Sequence, residues 1–156
     1  MVRKSPIKSL RVSEVIVDTS FLLPYIGLRV KEVSYDVINE LREIKIHYPY
    51  LMLPELIGVV IKVAKKMGLE NIPRYALRSF NSLVYGDEIN LITPTEEDLR
   101  IAYELVRAGL SDLFDAILYA TAERTGIKAL TMDEELIEFL RNHGFRVDNL
   151  ILVRTK

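Results

Sequence analysis

Short apolar runs alternate with stretches of helical period along most of this chain. "EVIVD" (14–18), "EINLIT" (88–93), "IKALTMD" (127–133) and "FRVDNLILV" (145–153) read as strands. "PYLM" (49–52) is extended before a helix that opens at Pro54. Strands separated by helices form a parallel sheet covered on both faces, which explains runs that are apolar throughout rather than alternating. The expected architecture is a three-layer α/β/α domain with a parallel sheet of four or five strands.

The helical segments carry their own start and stop signals. In "VKEVSYDVINELREIKI" the apolar positions Val30, Val33, Val37, Ile38, Leu41 and Ile44 recur at spacings of three and four, the pattern of an amphipathic helix. Pro54 suits a first helical turn and Gly68 a stop; Pro73 and Gly86 bound a second helix. Thr95 and Asp98 have the spacing of a capping box. Ser111 is the expected N-cap of "DLFDAILYATAERT", which Gly126 ends, and "EELIEFLRN" is the last helix. A chain of 156 residues is long enough for one domain with a sizeable core, so 1–156 reads as a single domain, with 1–12 a flexible basic N-terminal segment.

With 21 Lys plus Arg against 22 Asp plus Glu, the net charge of −1 provides no global attraction to a polyanion; contact must come through a local basic patch or bound cations. Cysteine is absent, which excludes disulfides, thiolate zinc sites and cysteine nucleophiles. No apolar run approaches membrane-spanning length. The expectation is a soluble, cytoplasmic protein with no membrane contact.

Asp18 ends the first strand and Asp133 follows "IKALT", so both should project from one edge of the sheet. Glu55 falls in the first turn of the helix opened by Pro54, and Asp115 within about a turn of Ser111. Helices that follow parallel strands start on that same edge, where the helix dipole tolerates a carboxylate. In such sheets ligands bind beyond the carboxyl ends of the strands. Taken singly, each acid is most simply a capping or surface residue. Taken together, four converging carboxylates stay ionised only if cations share them. An all-oxygen cluster suits Mg²⁺ or Mn²⁺, and two such ions activate water and stabilise a leaving oxygen at a phosphodiester.

At these residues the sequence resembles the PIN-domain family of metal-dependent ribonucleases, which includes the VapC toxins of toxin–antitoxin pairs. "VIVDTSFLL" resembles the family's first motif, "LPELIGVV" its second, and "FDAILYATAERTGIKALTMDEEL" its third and fourth together. The resemblance runs over about residues 13 to 153. It implies a Mg²⁺- or Mn²⁺-dependent endoribonuclease acting on single-stranded RNA, with Asp18, Glu55, Asp115 and Asp133 as the acidic, metal-holding site. It further implies support from Thr19 or Ser20 and from Thr131 through hydrogen bonds, and a protein antitoxin as a partner. Pro54 directly before Glu55 and Met132 between Thr131 and Asp133 depart from the family pattern.

Asp112 lies three residues before Asp115, so one helical face presents both; it is a helix-start acid, a supporting group or a further ligand. Lys62, Lys65 and Lys66 cluster on one helix, and Arg74 and Arg78 lie four apart on the next. They are either a solvated face or a patch for the RNA backbone near Glu55. The tyrosines of "HYPY" would stack on bases or form a packed rim. Leu56, Val59, Val60 and Val63 would serve the core or a homodimer interface. His47 and His143 lack partners at metal or triad spacing. Two readings from other classes stand beside the nuclease: a non-catalytic PIN-like RNA-binding or assembly module, and a phosphatase with Asp18 as nucleophile. The latter commonly needs an acid two residues on, where this chain has Ser20.

Overall fold

A computed structural model describes residues 11–28 and 33–154. Most of the expected N-terminal basic segment and Val30 lie outside the described residues. The five strands are β1 (Glu14–Val17), β2 (Lys45–Pro49), β3 (Ile89–Ile92), β4 (Ala129–Thr131) and β5 (Leu150–Leu152). All pairings are parallel and the spatial order is β3-β2-β1-β4-β5. The described α-helices are α1 (Leu23–Ile26), α2 (Tyr35–Leu41), α3 (Leu53–Lys66), α4 (Arg74–Tyr85), α5 (Glu96–Ala108), α6 (Leu113–Thr125) and α7 (Glu134–Asn142). Right-handed crossovers put α1–α4 on one face of the sheet and α5–α7 on the other, which is the expected three-layer arrangement. Val15, Ile16, Val17 and Leu130 at its centre are completely buried.

The strand order reverses between β1 and β4. The chain leaves β1 toward β2 on one side and leaves β4 toward β5 on the other. A crevice forms there at the carboxyl ends of the strands, the usual ligand position in open α/β sheets.

Two local expectations are corrected. Within the described part of the helix expected from Val30 to Ile44, only Tyr35–Leu41 is helical, capped by Ser34, whose hydroxyl accepts from Val37 N at 3.4 Å. Lys45 and Ile46 instead pair with Glu14 and Val15 of β1. Apolar residues two apart, Ile44 and Ile46, fit a strand as well as a helix, and pairing with a buried strand decided between them. The N-cap of α6 is Asp112, not Ser111: Asp112 Oδ1 accepts from Phe114 N at 2.8 Å and Asp115 N at 3.3 Å. Ser111 is exposed. Leu56, Val59, Val60 and Val63 lie in or against the core, so that face of α3 is taken up within the chain.

The route from β3 to β4 orients α6. Helices α5 and α6 form the most extensively packed pair in the fold. Arg124 near the end of α6 donates from Nε to Asp98 Oδ1 at 2.7 Å in the first turn of α5, and from Nη2 to the Thr93 carbonyl at 3.1 Å. The two helices are therefore antiparallel. Gly109, in the left-handed region at φ 114°, turns the chain between them, a conformation costly for any other residue. Asp98 also accepts from Thr95 N at 2.8 Å, completing the expected capping box. Because Asp98 is only 5 % exposed, Asp98→Ala removes a cap and strands a guanidinium. The expected loss is about 2–4 kcal/mol in urea unfolding. Glu97→Ala, in the exposed pair with Arg100, is expected to change stability little.

Candidate functional site

Asp18 directly follows β1, and Asp133 follows β4 by two residues. The two strands are neighbours, in register Ile16↔Ala129 and Val17↔Leu130. Both acids thus stand at the switch point. Glu55 is the third residue of α3, which leaves the carboxyl end of β2, next to β1. Asp115 is the third residue of α6. Its helix follows another helix rather than a strand, and the charges of Asp18, Asp133 and Glu55 act on it across the crevice.

Electrostatics link these groups. Burial pushes the Asp18 carboxyl up to about 6, and the charges of Glu55, Asp112 and Asp133 push in the same direction, against the lowering effect of its bond to Thr19 N. Burial pushes Asp115 up to about 7, reinforced by Asp112, Asp18, Asp133 and Glu55. Glu55 is raised by burial and by Asp112, and held down by its bond from Thr19. Asp112 acts on three of the four expected acids, so a fifth carboxylate belongs to the group.

The supporting hydroxyls have distinct partners. Asp18 Oδ1 accepts from Thr19 N at 2.6 Å, capping a 3₁₀ turn over Thr19–Phe21. Thr19 Oγ1 donates to Glu55 Oε2 at 2.7 Å, joining the β1 and α3 sides of the crevice. Thr131 Oγ1 accepts from the backbone of Asp133 at 3.0 Å, and Asp133 Oδ1 accepts from Leu136 N at 3.1 Å as the N-cap of α7. Thr131 therefore orients Asp133 through the main chain. Ser20 is half-buried, and its hydroxyl makes no hydrogen bond among the described residues.

Tyr48 is a residue that sequence reasoning misplaced. It was expected on a stacking surface or a rim, yet it is fully buried. Its hydroxyl donates to the Met52 carbonyl at 2.9 Å and lies 2.7 Å from Thr19 Oγ1. The Thr19 hydroxyl thus bonds both Glu55 and Tyr48, and the Tyr48 hydroxyl bonds both Thr19 and the main chain at the start of α3. A buried tyrosine always raises the question of its partner, but nothing near Tyr48 in sequence names Thr19.

The basic residues are exposed: Lys62, Lys65 and Lys66 on α3, Arg74 and Arg78 on α4. At 1.5 Å per residue, α3 carries its lysines roughly 10 to 17 Å along the axis from Glu55. The helix runs away from the crevice, so a position near Glu55 does not apply to them. His47 is buried on β2, with Nδ1 2.8 Å from Asn90 Nδ2 and Nε2 3.6 Å from Glu14. His143 stacks on Phe139 with ring centroids 4.1 Å apart.

Donor chemistry at the crevice fits a hard divalent cation, since the ionisable groups are all carboxylates and neither histidine belongs to the group. As they stand, no three acidic or histidine side chains among the described residues are gathered closely enough to enclose an ion.

The sequence profile of the PIN domain matches residues 15–141. The chain belongs to the PIN-domain family. Among curated proteins none matches it. Solved structures similar to it include a toxin–antitoxin complex from Klebsiella pneumoniae, at TM-score 0.57 and 17% identity over 88% of this chain and 95% of that one. VapBC2 from Rickettsia felis, bound to a DNA fragment from their promoter, gives 0.56 and 16% over 92% and 99%. A protein of Pyrobaculum aerophilum gives 0.50 and 25% over 81% and 78%. These are likenesses of fold. Among the described residues, no helix of this PIN-domain protein is long and apolar enough to cross a membrane.

Proposed function

We propose that this PIN-domain protein is a Mg²⁺- or Mn²⁺-dependent endoribonuclease of the VapC kind. The observation that carries the reading is the mutual repulsion of buried carboxyls at the switch point. Asp18 and Asp115 are raised to about 6 and 7, each partly by the other acids of the group. A fold keeps such uncompensated charge together where function needs it. Asp18, Glu55, Asp115 and Asp133 would hold the metal. When bound, a divalent cation supplies Lewis-acid activation of water and neutralises charge at the scissile phosphate. The chain's own part is positional: β1 and β4 present Asp18 and Asp133, the first turns of α3 and α6 present Glu55 and Asp115, and Thr19 and Thr131 restrict their motion.

The substrate in this reading is single-stranded RNA. Likeness in fold to two toxin–antitoxin assemblies supports a protein antitoxin as partner. A homodimer would use a surface other than the apolar face of α3 that packs inward; Leu99, Tyr103 and Val106 form an exposed stripe on α5. The test is cleavage of mixed single-stranded RNAs by the purified protein with Mn²⁺, Mg²⁺ or EDTA. Cleavage is expected with either metal and not with EDTA; equal cleavage in EDTA would overturn the metal requirement. Asp115→Asn should lose far more activity than Asp112→Asn, because asparagine still caps α6 while Asp115 is itself a proposed ligand. Equal losses would make Asp112 a ligand as well.

A further inference from the structure

We propose that Tyr48 is a positioning residue for the acidic site, its buried hydroxyl fixing Glu55 relative to Asp18. This inference rests on the metal reading above. The ring of Tyr48 packs in the core, completely buried, where a phenylalanine would fit equally well. A hydroxyl placed there must find partners, because leaving it unpaired in the interior costs about 1–3 kcal/mol. Both partners belong to segments that bear candidate ligands. Met52, whose carbonyl accepts from Tyr48 at 2.9 Å, is the N-cap residue of α3, three positions before Glu55. Thr19, whose hydroxyl is 2.7 Å from that of Tyr48, is adjacent to Asp18 and bonds to Glu55 at 2.7 Å. Thr19 is itself only 3 % exposed.

One phenolic oxygen on β2 therefore ties the end of β1 to the start of α3. The bond to Met52 sets the start of the helix, and the bond to Thr19 holds the hydroxyl that restrains the Glu55 carboxylate. Removing the phenolic oxygen leaves Thr19 free to rotate and the first turn of α3 free to shift. Glu55 then loses its fixed distance from Asp18, while the core keeps its ring.

The test is Tyr48→Phe, read by metal response as well as by stability. The variant should unfold cooperatively in EDTA, showing an intact core. Its apparent Kd for Mn²⁺, from melting midpoints titrated with the metal, should rise on the order of 10–100-fold, the usual effect of losing a partner behind a ligand. On saturating RNA, the Mn²⁺ concentration that gives half-maximal cleavage should rise by the same factor. Tyr48→Phe combined with Thr19→Val should lose no more Mn²⁺ affinity than the worse single variant, since both cut one chain of bonds. If Tyr48→Phe melts too low to titrate, Thr19→Val carries the same expectation. A variant less stable than wild type but with an unchanged Mn²⁺ Kd would show that Tyr48 serves packing alone and overturn the proposal. Additive losses in the double variant would overturn it too. A wild type with no Mn²⁺ response would sink the metal reading itself, and this inference with it.

Discussion

Asp18→Asn should abolish RNA cleavage and leave the metal-free protein as stable as wild type or more so. Asp18 directly follows β1, the strand between β2 and β4, at the point where the strand order reverses. Asparagine keeps an oxygen to accept from Thr19 N, so the 3₁₀ turn after β1 survives. What disappears is a negative charge that burial and three neighbouring acids already oppose. In the absence of metal this removes repulsion, so the melting midpoint should hold or rise. In its presence a ligand is missing, and the loss of activity should exceed the roughly 10–100-fold that follows loss of an outer partner. Cleavage assays with Mn²⁺ and melts in EDTA on the same preparations check both halves. An active variant would make Asp18 an ordinary strand-end acid, and an unfolded one would refute the relief of repulsion.

The second large effect is a reversal in how pH and metal act on stability. In the folded chain Asp18 titrates near 6 and Asp115 near 7, against about 4 for an aspartate in the unfolded chain. Between those values the folded state binds more protons than the unfolded state. The stability of the metal-free protein attributable to these groups is therefore fully present below about pH 4. It is lost as pH rises through about 6 to 7. Mn²⁺ that binds only the folded state acts oppositely, because it needs the carboxylates ionised. At a hundred times Kd it adds about 2.7 kcal/mol, which for a chain of this size raises the midpoint on the order of 5–10 °C. Melts in EDTA and in Mn²⁺ should diverge at pH 8 and converge toward pH 5. Other carboxylates contribute with the opposite sign; Asp148, held low by Arg146, is one. Comparison with Asp18→Asn isolates the cluster, and its EDTA midpoint should depend less on pH between 5 and 7. A variant with the same pH dependence as wild type would refute the coupling.

Much of this was legible in the sequence because it is local. The apolar runs before Asp18 and Asp133 are strands because three or four consecutive apolar residues bounded by polar ones have few other uses in a chain of this kind. Thr95 with Asp98, and Pro54 before Glu55, mark helix starts through bonds and backbone angles spanning one turn. Four acids at strand ends and helix starts could be picked out for the same reason. Their assembly was not local. Lys45 and Ile46 became strand by pairing with β1. Asp115 stands at the start of a helix that follows another helix, yet it feels the charges of Asp18 and Glu55, far away in sequence. Tyr48 meets Thr19 across 29 residues, and Thr19 meets Glu55 across 36. Periodicity and capping are properties of a single turn and show in a single line of residues. Which side chains meet across tens of residues is decided only when the sheet's order and the helices' directions are set. The acids were thus readable one by one, and their common crevice, with the tyrosine behind it, came from the tertiary fold alone.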